Sequence, residues 1–537
     1  MRRAVQVIAI LLVALSLPPL AAAGASARPR VVRPVARVGS PIGRRWPAPA
    51  WEVPSDGSVY MSSPTTARVA GIDVVALGTE TGEVELLNAA TGRELPGWPR
   101  RVASAPGQAA AIESSPAIAW LDGPDQLPSI IVGTGSTAVD HGRSVGEVEA
   151  FDFNGNVRFV FRVAGAGHGT ALGVISAPAV GNITGSGQPD IVFGSWNHDL
   201  YALTPAGRLV PGFPVNNGDT IWSSPALDHV RASKGREDIF IGSDASGLSG
   251  CHGGFISDYT YRAGHPQLVW RHCEQETIWS SPAIGVINAS GRPAVVVGTG
   301  FGYPNFAGRP GAFSLYAFYA DNGATLPGWP VATEGPTPGS PAIGIGASGE
   351  PVVVDTSWSC SGSAMTSCFQ PNDSLVETWN GKGRLLGERT LAGATTLSSP
   401  ILVPLLGERS DDILVGADSG LYAIAGAPTG HRARGAKTPL LGDLFGTSPV
   451  STITNQCPVN NAAALADIPG EGQRAGWHVI EACGGPPSLH HQGEIVSYRL
   501  PIQPPRGAIV WPMFRGSPAH LGVADEGGLG APVPLGP

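Results

Sequence analysis

The side chains best suited to chemistry in this chain arrive in duplicate. The stretch DTIWSSPAL, Asp219–Leu227, returns as ETIWSSPAI, Glu276–Ile284, 57 positions later. Each copy places an acid six residues before its proline and an indole three before it: Asp219 with Trp222, and Glu276 with Trp279. Two indoles with acidic neighbours suit a sugar ring or another flat ligand, stacking on its face and hydrogen-bonding its hydroxyls. Glu113 holds an acid three residues before Pro116, where related positions are mostly apolar. As a general acid or base it needs a partner, and the sequence shows none beside it. A letter that repeats first serves the repeat, so packing of both indoles between neighbouring units competes with the ligand reading.

Other chemistry is thin. There is no HExxH and no GxxxxGK. The GxGxxG at Gly344–Gly349 is followed by no helical pattern and reads as a turn. The histidines are scattered without metal spacing, and the adjacent pair His490-His491 points to opposite faces if on a strand. Six cysteines fall into three local pairs, Cys251 with Cys273, Cys360 with Cys368, and Cys457 with Cys483. Sequence alone allows about 15 connectivities. With no CxxC, staples rank above zinc or thiol redox chemistry.

What must position these residues is a short-stranded scaffold. Charged residues are only 14%, while Gly (74) and Pro (50) are abundant. No sustained helical periodicity follows the first segment, which leaves strands joined by tight turns. A small residue and a proline open an apolar run at Ser63-Pro64, Ser115-Pro116, Ala177-Pro178, Ser224-Pro225, Ser281-Pro282, Ser340-Pro341, Ser399-Pro400 and Ser448-Pro449. A β-branched run ending in a small residue follows in most units, as in SIIVG, DIVFG and AVVVG. Then come a third strand and an aromatic-proline signature, LPGWP at 95–99, VPGFP at 210–214 and LPGWP at 326–330. Four short strands in a unit of roughly 50 residues predict an all-β, single eight-bladed β-propeller of four-stranded antiparallel blades, with seven blades as the fallback. Trp46 stands as far ahead of Pro64 as Trp98 does ahead of Pro116, so the N-terminal strand is expected to join the last blade. The C-terminal IVWPMFRGSPAHLG competes for that place.

The chain begins with two arginines, an apolar run from Ala4 to Leu17 and small residues to Ala27, the layout of a secretory signal peptide over 1–27. An Arg/Pro-rich linker over 28–45, a propeller over 46–522 and a flexible tail over 523–537 complete the expected organisation. A secreted or envelope location, no membrane span and a monomer are expected. Net charge is −8, so a nucleic-acid partner is not expected, because basic runs to neutralise phosphate are lacking after the leader.

SSPAI followed by IIVGTG, and GSWNHDLYALTPAGRLVPGFP, resemble the bacterial FG-GAP/VCBS and PQQ-like propeller repeats. WPMFRGSPAHLG is similar to a segment at one end of PQQ-like propellers. The resemblance spans about 46–522 and implies a fold that hosts unrelated roles. FG-GAP and VCBS repeats often bind calcium in a D-x-D-x-D-G-x-x-D loop. GNITGSGQPDI offers Asn182, Thr184, Ser186, Gly187 and Asp190 at that spacing, with neutral groups replacing most of the carboxylates. Calcium affinity follows ligand charge, so the loop is read as a structural turn, with a low-affinity calcium site as the alternative. PQQ enzymes use an adjacent-cysteine disulfide, which this chain lacks, so PQQ is not expected. The favoured function is a non-catalytic binding or scaffold protein for an extracellular or cell-envelope polysaccharide or protein. The competing class is a polysaccharide lyase, hydrolase or quinoprotein with its site in the central channel.

Overall fold

A strand that lines a central axis has one backbone edge with no blade neighbour, so it must be short and must find partners elsewhere. The proline-led segments answer that demand. In the computed structural model the described residues run from Trp46 to Ala524, apart from internal stretches of which 301–312, 360–372, 429–440, 445–457 and 501–510 are the longest. They form eight antiparallel sheets around one axis, an all-β propeller. The innermost strands are Thr65–Val69, Ala117–Ala119, Ala179–Gly181, Ala226–Asp228, Ala283–Gly285, Ala342–Ile345, Ile401–Val403 and Ala464–Ile468. The first seven begin directly after their proline, where a missing N–H leaves no ladder bond unmade.

The eighth differs from the sequence expectation. Ser448-Pro449 lies outside the described residues, and the innermost strand of blade 8 opens instead after Ala462-Ala463. Asp443, which stands six residues before Pro449 as Asp219 does before Pro225, ends the outer strand Leu441–Asp443 of blade 7.

The repeated serines have two distinct tasks. The first closes each blade: Ser62, Ser114, Ser176, Ser223, Ser280 and Ser398 accept the amides of Gly78, Gly133, Gly194, Gly242, Gly298 and Gly416 at 2.8 to 3.1 Å. The first five of those glycines end their second strands, and Gly416 stands one residue before the end of Asp412–Ala417. A Cβ on Gly194 would lie 2.2 Å from Ile221, and on Gly242 2.5 Å from Ile278, so only glycine admits the segment leading into the next blade. The second serine joins blades. The Oγ atoms of Ser115, Ser224, Ser281, Ser340 and Ser399 accept the amides of Ser63, Ala177, Ser224, Ser281 and Ser340 in the preceding blade, each at 2.9 Å. Ser63 accepts from Ala462 at 3.0 Å, passing the relay from blade 8 to blade 1. The relay lapses where Ala177 and Ala462 supply no hydroxyl.

Between blades the second and third strands are apolar on both faces. In Ser129–Gly133, Asp190–Gly194 and Ala294–Gly298 every residue is buried. Each buried Val, Ile or Leu there stabilises by about 1.5–3 kcal/mol, which only a neighbouring blade makes available. On the outer rim, indoles latch one blade to the next. Trp98, Trp270 and Trp329 donate their Nε1 protons to the carbonyls of Phe153, Ala320 and Gly381 at 3.0 to 3.2 Å.

The ring is closed by its N-terminal strand. Pro49–Pro54 pairs antiparallel with Glu494–Arg499 as the outer strand of blade 8. Its Trp51 latches onto the Ala89 carbonyl of blade 1 at 2.8 Å, while Trp46 packs on Tyr498. The C-terminal segment has a different place: it fills the axis. The amides of Val180, Leu227, Ile284, Leu402 and Leu465, each on the axis-facing edge of a different innermost strand, donate to the carbonyls of Ala519, Leu521, Gly522, Trp511 and Pro512 at 2.8 to 3.0 Å. Trp511, Met513, Arg515 and His520 are buried there. Val523 and Ala524, expected in the tail, are held to Ile284.

Removing a relay hydroxyl leaves a buried N–H without its acceptor. Ser281→Ala should therefore lower unfolding free energy by about 1–3 kcal/mol. Denaturant titration of the variant checks this, with an unchanged midpoint contradicting the structural role.

Candidate binding site at the mouth of the ring

Chain direction defines two ends of the axis. Innermost strands start at one end, second strands return to it, and third strands leave from it, so this end carries the connections between blades and between second and third strands. The C-terminal segment lies beyond the prolines, so it closes the opposite side. The remaining opening is a mouth rimmed by the residues three before each proline: Met61, Glu113, Ile175, Trp222, Trp279, Pro338 and Leu397, with Asn460 at the matching place in blade 8.

Three indoles run along this rim. Trp222 and Trp279 stack with centroids 4.2 Å apart and planes 10° apart. Trp196, from the turn after the second strand of blade 3, lies 4.6 Å from Trp222 on its other side. Ile175 and Ala171 pack against them. Trp222 is thus enclosed, at 9% exposure, whereas Trp279 is half-buried and the most exposed of the three. The run meets solvent through Trp279. Trp196 was not among the residues singled out from the sequence, because it sits in a turn and has no counterpart at the same offset in other units.

The two repeated acids part company. Asp219 is half-buried, with Oδ1 3.4 Å from His198 Nε2 and accepting the Thr220 amide at 2.7 Å. Burial pushes its carboxyl up to about 6. Glu276 is fully buried and does not reach the mouth. The connection carrying Cys251 passes over its backbone, Gly254 donating to the Glu276 carbonyl at 2.8 Å.

Glu113 is buried on the blade 2 side of the rim. Its Oε1 accepts from Ser136 Oγ, Thr137 N and Thr137 Oγ1 at 2.8 to 3.0 Å. The same Ser136 Oγ lies 3.5 Å from Glu80 Oε2. Burial and the neighbouring Glu113 raise the Glu80 carboxyl well above its usual range. The two acids therefore share one site in which a proton is retained, and burial with both of them raises the Tyr60 phenol. Glu80 is the carboxyl partner that the sequence did not show, since it lies in the TETG turn of another blade.

The mouth side also gathers the cysteines. Cys251 and Cys273 form a disulfide, with Cα atoms 5.6 Å apart, tying the second-to-third connection of blade 4 to the end of its outer strand. Cys483 is buried at the mouth end of the second strand of blade 8. Cys360, Cys368 and Cys457 lie outside the described residues.

Two cofactor expectations meet the geometry as follows. In the loop holding Asn182, Thr184, Ser186 and Asp190, Asn182 Oδ1 accepts the Gly185 amide at 2.9 Å. Asp190 Oδ2 accepts Thr184 N and Oγ1 at 3.0 and 2.9 Å. Those oxygens face hydrogen-bond donors within the turn, so the loop does not fit a calcium ion. No group of three or more His, Cys, Asp or Glu suited to a metal occurs among the described residues. For a flat quinone, the Trp222 and Trp279 faces are already in contact, so no slot lies between them. A Gly-x-Ser-x-Gly spacing, not weighed above, occurs at Gly142-Arg143-Ser144-Val145-Gly146. Gly146 runs directly into the strand Glu147–Phe151, whereas a serine elbow runs into a helix. Ser144 lies outside the described residues.

No protein-family model matches the chain, and no curated protein matches it. Solved propellers do. A quinohemoprotein alcohol dehydrogenase from Pseudomonas putida HK5 is similar over 85% of this chain and 77% of its own, at 14% identity and a TM-score of 0.50. BamB from Moraxella catarrhalis is similar over 84% of this chain and 97% of its own, at 13% identity and a TM-score of 0.46. BBS1N, solved in complex with ARL6DN, is similar over 86% and 98%, at 12% identity and a TM-score of 0.43. At 14% identity the likeness to the alcohol dehydrogenase shows the fold alone.

Many buried carboxyls set a pH dependence. Burial pushes Glu85 up to about 8 and Glu149, Glu274 and Glu377 up to about 7. In the folded protein they hold protons that the unfolded chain has released, so stability falls as pH rises from the ordinary carboxylate range through 7 to 8. His520, pulled down to about 3 by burial and Arg515, acts oppositely below the usual histidine range, but it is one group against four. The thermal midpoint should therefore be higher at pH 5.5 than at pH 8.5; equal or reversed midpoints would contradict the assignment.

Proposed function

We propose that this protein is exported and works by binding, holding an extracellular or cell-envelope polysaccharide, or a protein of that compartment, at the mouth of the ring. The observation that carries the reading is the run of three indoles, half-buried at Trp279, on the same face as the Cys251–Cys273 disulfide. A half-buried indole edge beside polar groups is the surface that sugar rings use for apolar contact while their hydroxyls find hydrogen bonds. Loops held by a rigid scaffold are where binding residues concentrate. Among the described residues no helix is long and apolar enough to cross a membrane.

A catalytic reading has one specific observation behind it, the Glu80 and Glu113 carboxyls that share Ser136. A retained proton on one of two neighbouring acids is the arrangement that general acid–base chemistry requires. The binding reading stands ahead because Glu113 Oε1 is already saturated by three donors.

Affinity electrophoresis through gels cast with soluble glucan, xylan or mannan tests the proposal. At least one polymer should retard the protein, and Trp279→Ala should abolish the retardation while leaving the thermal midpoint within a few degrees. Equal retardation of the variant would reject this site. Cleavage of any of these polymers, lost in Glu113→Gln, would move the protein to the catalytic class.

A further inference from the structure

Arg515 is the most deeply buried cation described in the protein. It is 1% exposed and sits on the axis, where Nη1 donates to the Pro282 carbonyl and Nη2 to the Pro225 carbonyl at 3.0 Å. Gly522 packs against it so closely that a Cβ there would lie 2.1 Å from Nη2. A guanidinium carries five N–H donors, and the buried Nε has no acceptor among the described residues. No described carboxylate moderates its environment: burial alone acts on the group and pulls it down to about 9. A buried charge without a counter-charge costs several kcal/mol, so a fold that keeps one has reason to supply an anion.

The surrounding groups suit that role. Pro225 and Pro282 directly follow Ser224 and Ser281, two members of the relay around the axis. The relay hydroxyls of Ser63, Ser115, Ser224, Ser281, Ser340 and Ser399 each accept one amide, and none donates its own proton to a described group. All six are buried. A hydroxyl that accepts one amide and retains its proton has a donor to offer an anion. His520, on the same segment, bonds Thr65 Oγ1 at 3.0 Å through Nε2 and stays neutral, so Arg515 supplies the positive charge. The C-terminal segment closes the far side, which leaves the mouth as the route in.

We propose that the axis of the ring between the six relay serines and the Arg515 guanidinium binds a small monovalent anion of halide size. The site lies beneath the mouth and is separate from the indole run at its rim, so it stands whether or not the mouth binds a polysaccharide. The anion neutralises the guanidinium and locks the C-terminal segment against the innermost strands. Its chemistry is that of charge-assisted and hydroxyl hydrogen bonds to an anion.

The test uses the full chain and bromide as the probe. Crystals grown in sodium bromide should show an anomalous peak on the axis within hydrogen-bond distance of Arg515 Nε and at least one relay hydroxyl. In parallel, the thermal midpoint should rise saturably with sodium chloride against sodium gluconate at fixed ionic strength, and Arg515→Met should lose that rise. Bromide found only at surface positions would overturn the proposal. So would a chloride response that persists in the variant. If Arg515→Met does not fold, the bromide position in the unaltered protein decides alone.

Discussion

The structure depends on how eight innermost strands satisfy the backbone edge they turn toward the axis. In an ordinary sheet such an edge meets water or another strand. Here no blade has a further strand on that side. Two devices solve the problem in sequence along each strand. At its start, the second serine of the Ser-Ser-Pro motif gives its oxygen to the amide of the preceding blade. Two residues past the proline, five of the eight amides find carbonyls of the C-terminal segment. Proline between them removes one donor altogether.

From that constraint follow the closure and the polarity of the ring. Blade 8 borrows its outer strand from Pro49–Pro54, so the two ends of the chain hold the circle at its rim and at its centre. Among the described residues the C-terminal segment lies along the axis, bonded to the innermost strands two residues past the small-residue and proline positions. The residues able to meet a ligand are then those preceding the prolines, together with the second-to-third connections above them. Indoles at Trp196, Trp222 and Trp279 and carboxyls at Glu80 and Glu113 occupy neighbouring parts of that rim.

Much of this was legible in the residues, and the failures have physical reasons. The period could be read because each blade needs the same small residue, proline and apolar run, and that need recurs with every unit. Blade 8 was misplaced because Ala462-Ala463 provide neither hydroxyl nor proline, while Ser448-Pro449 imitates the motif upstream. The C-terminal segment looked like a closing strand, yet it pairs with most innermost strands through a single bond and so shows no strand alternation. Stacking of Trp222 on Trp279 followed from equal offsets in adjacent blades, but Glu276 is fully buried where Asp219 is half-buried, a difference that an equal offset does not carry. Trp196 and Glu80 sit in turns, where no period points to them.

Amide hydrogen exchange tests the central claim most directly. In the full chain the amides of Val180, Leu227, Ile284, Leu402 and Leu465 should be among the best protected, and in a chain ending at residue 510 they should exchange far faster than the second-strand amides beside them. Equal protection of those five amides with and without the C-terminal segment would contradict the account.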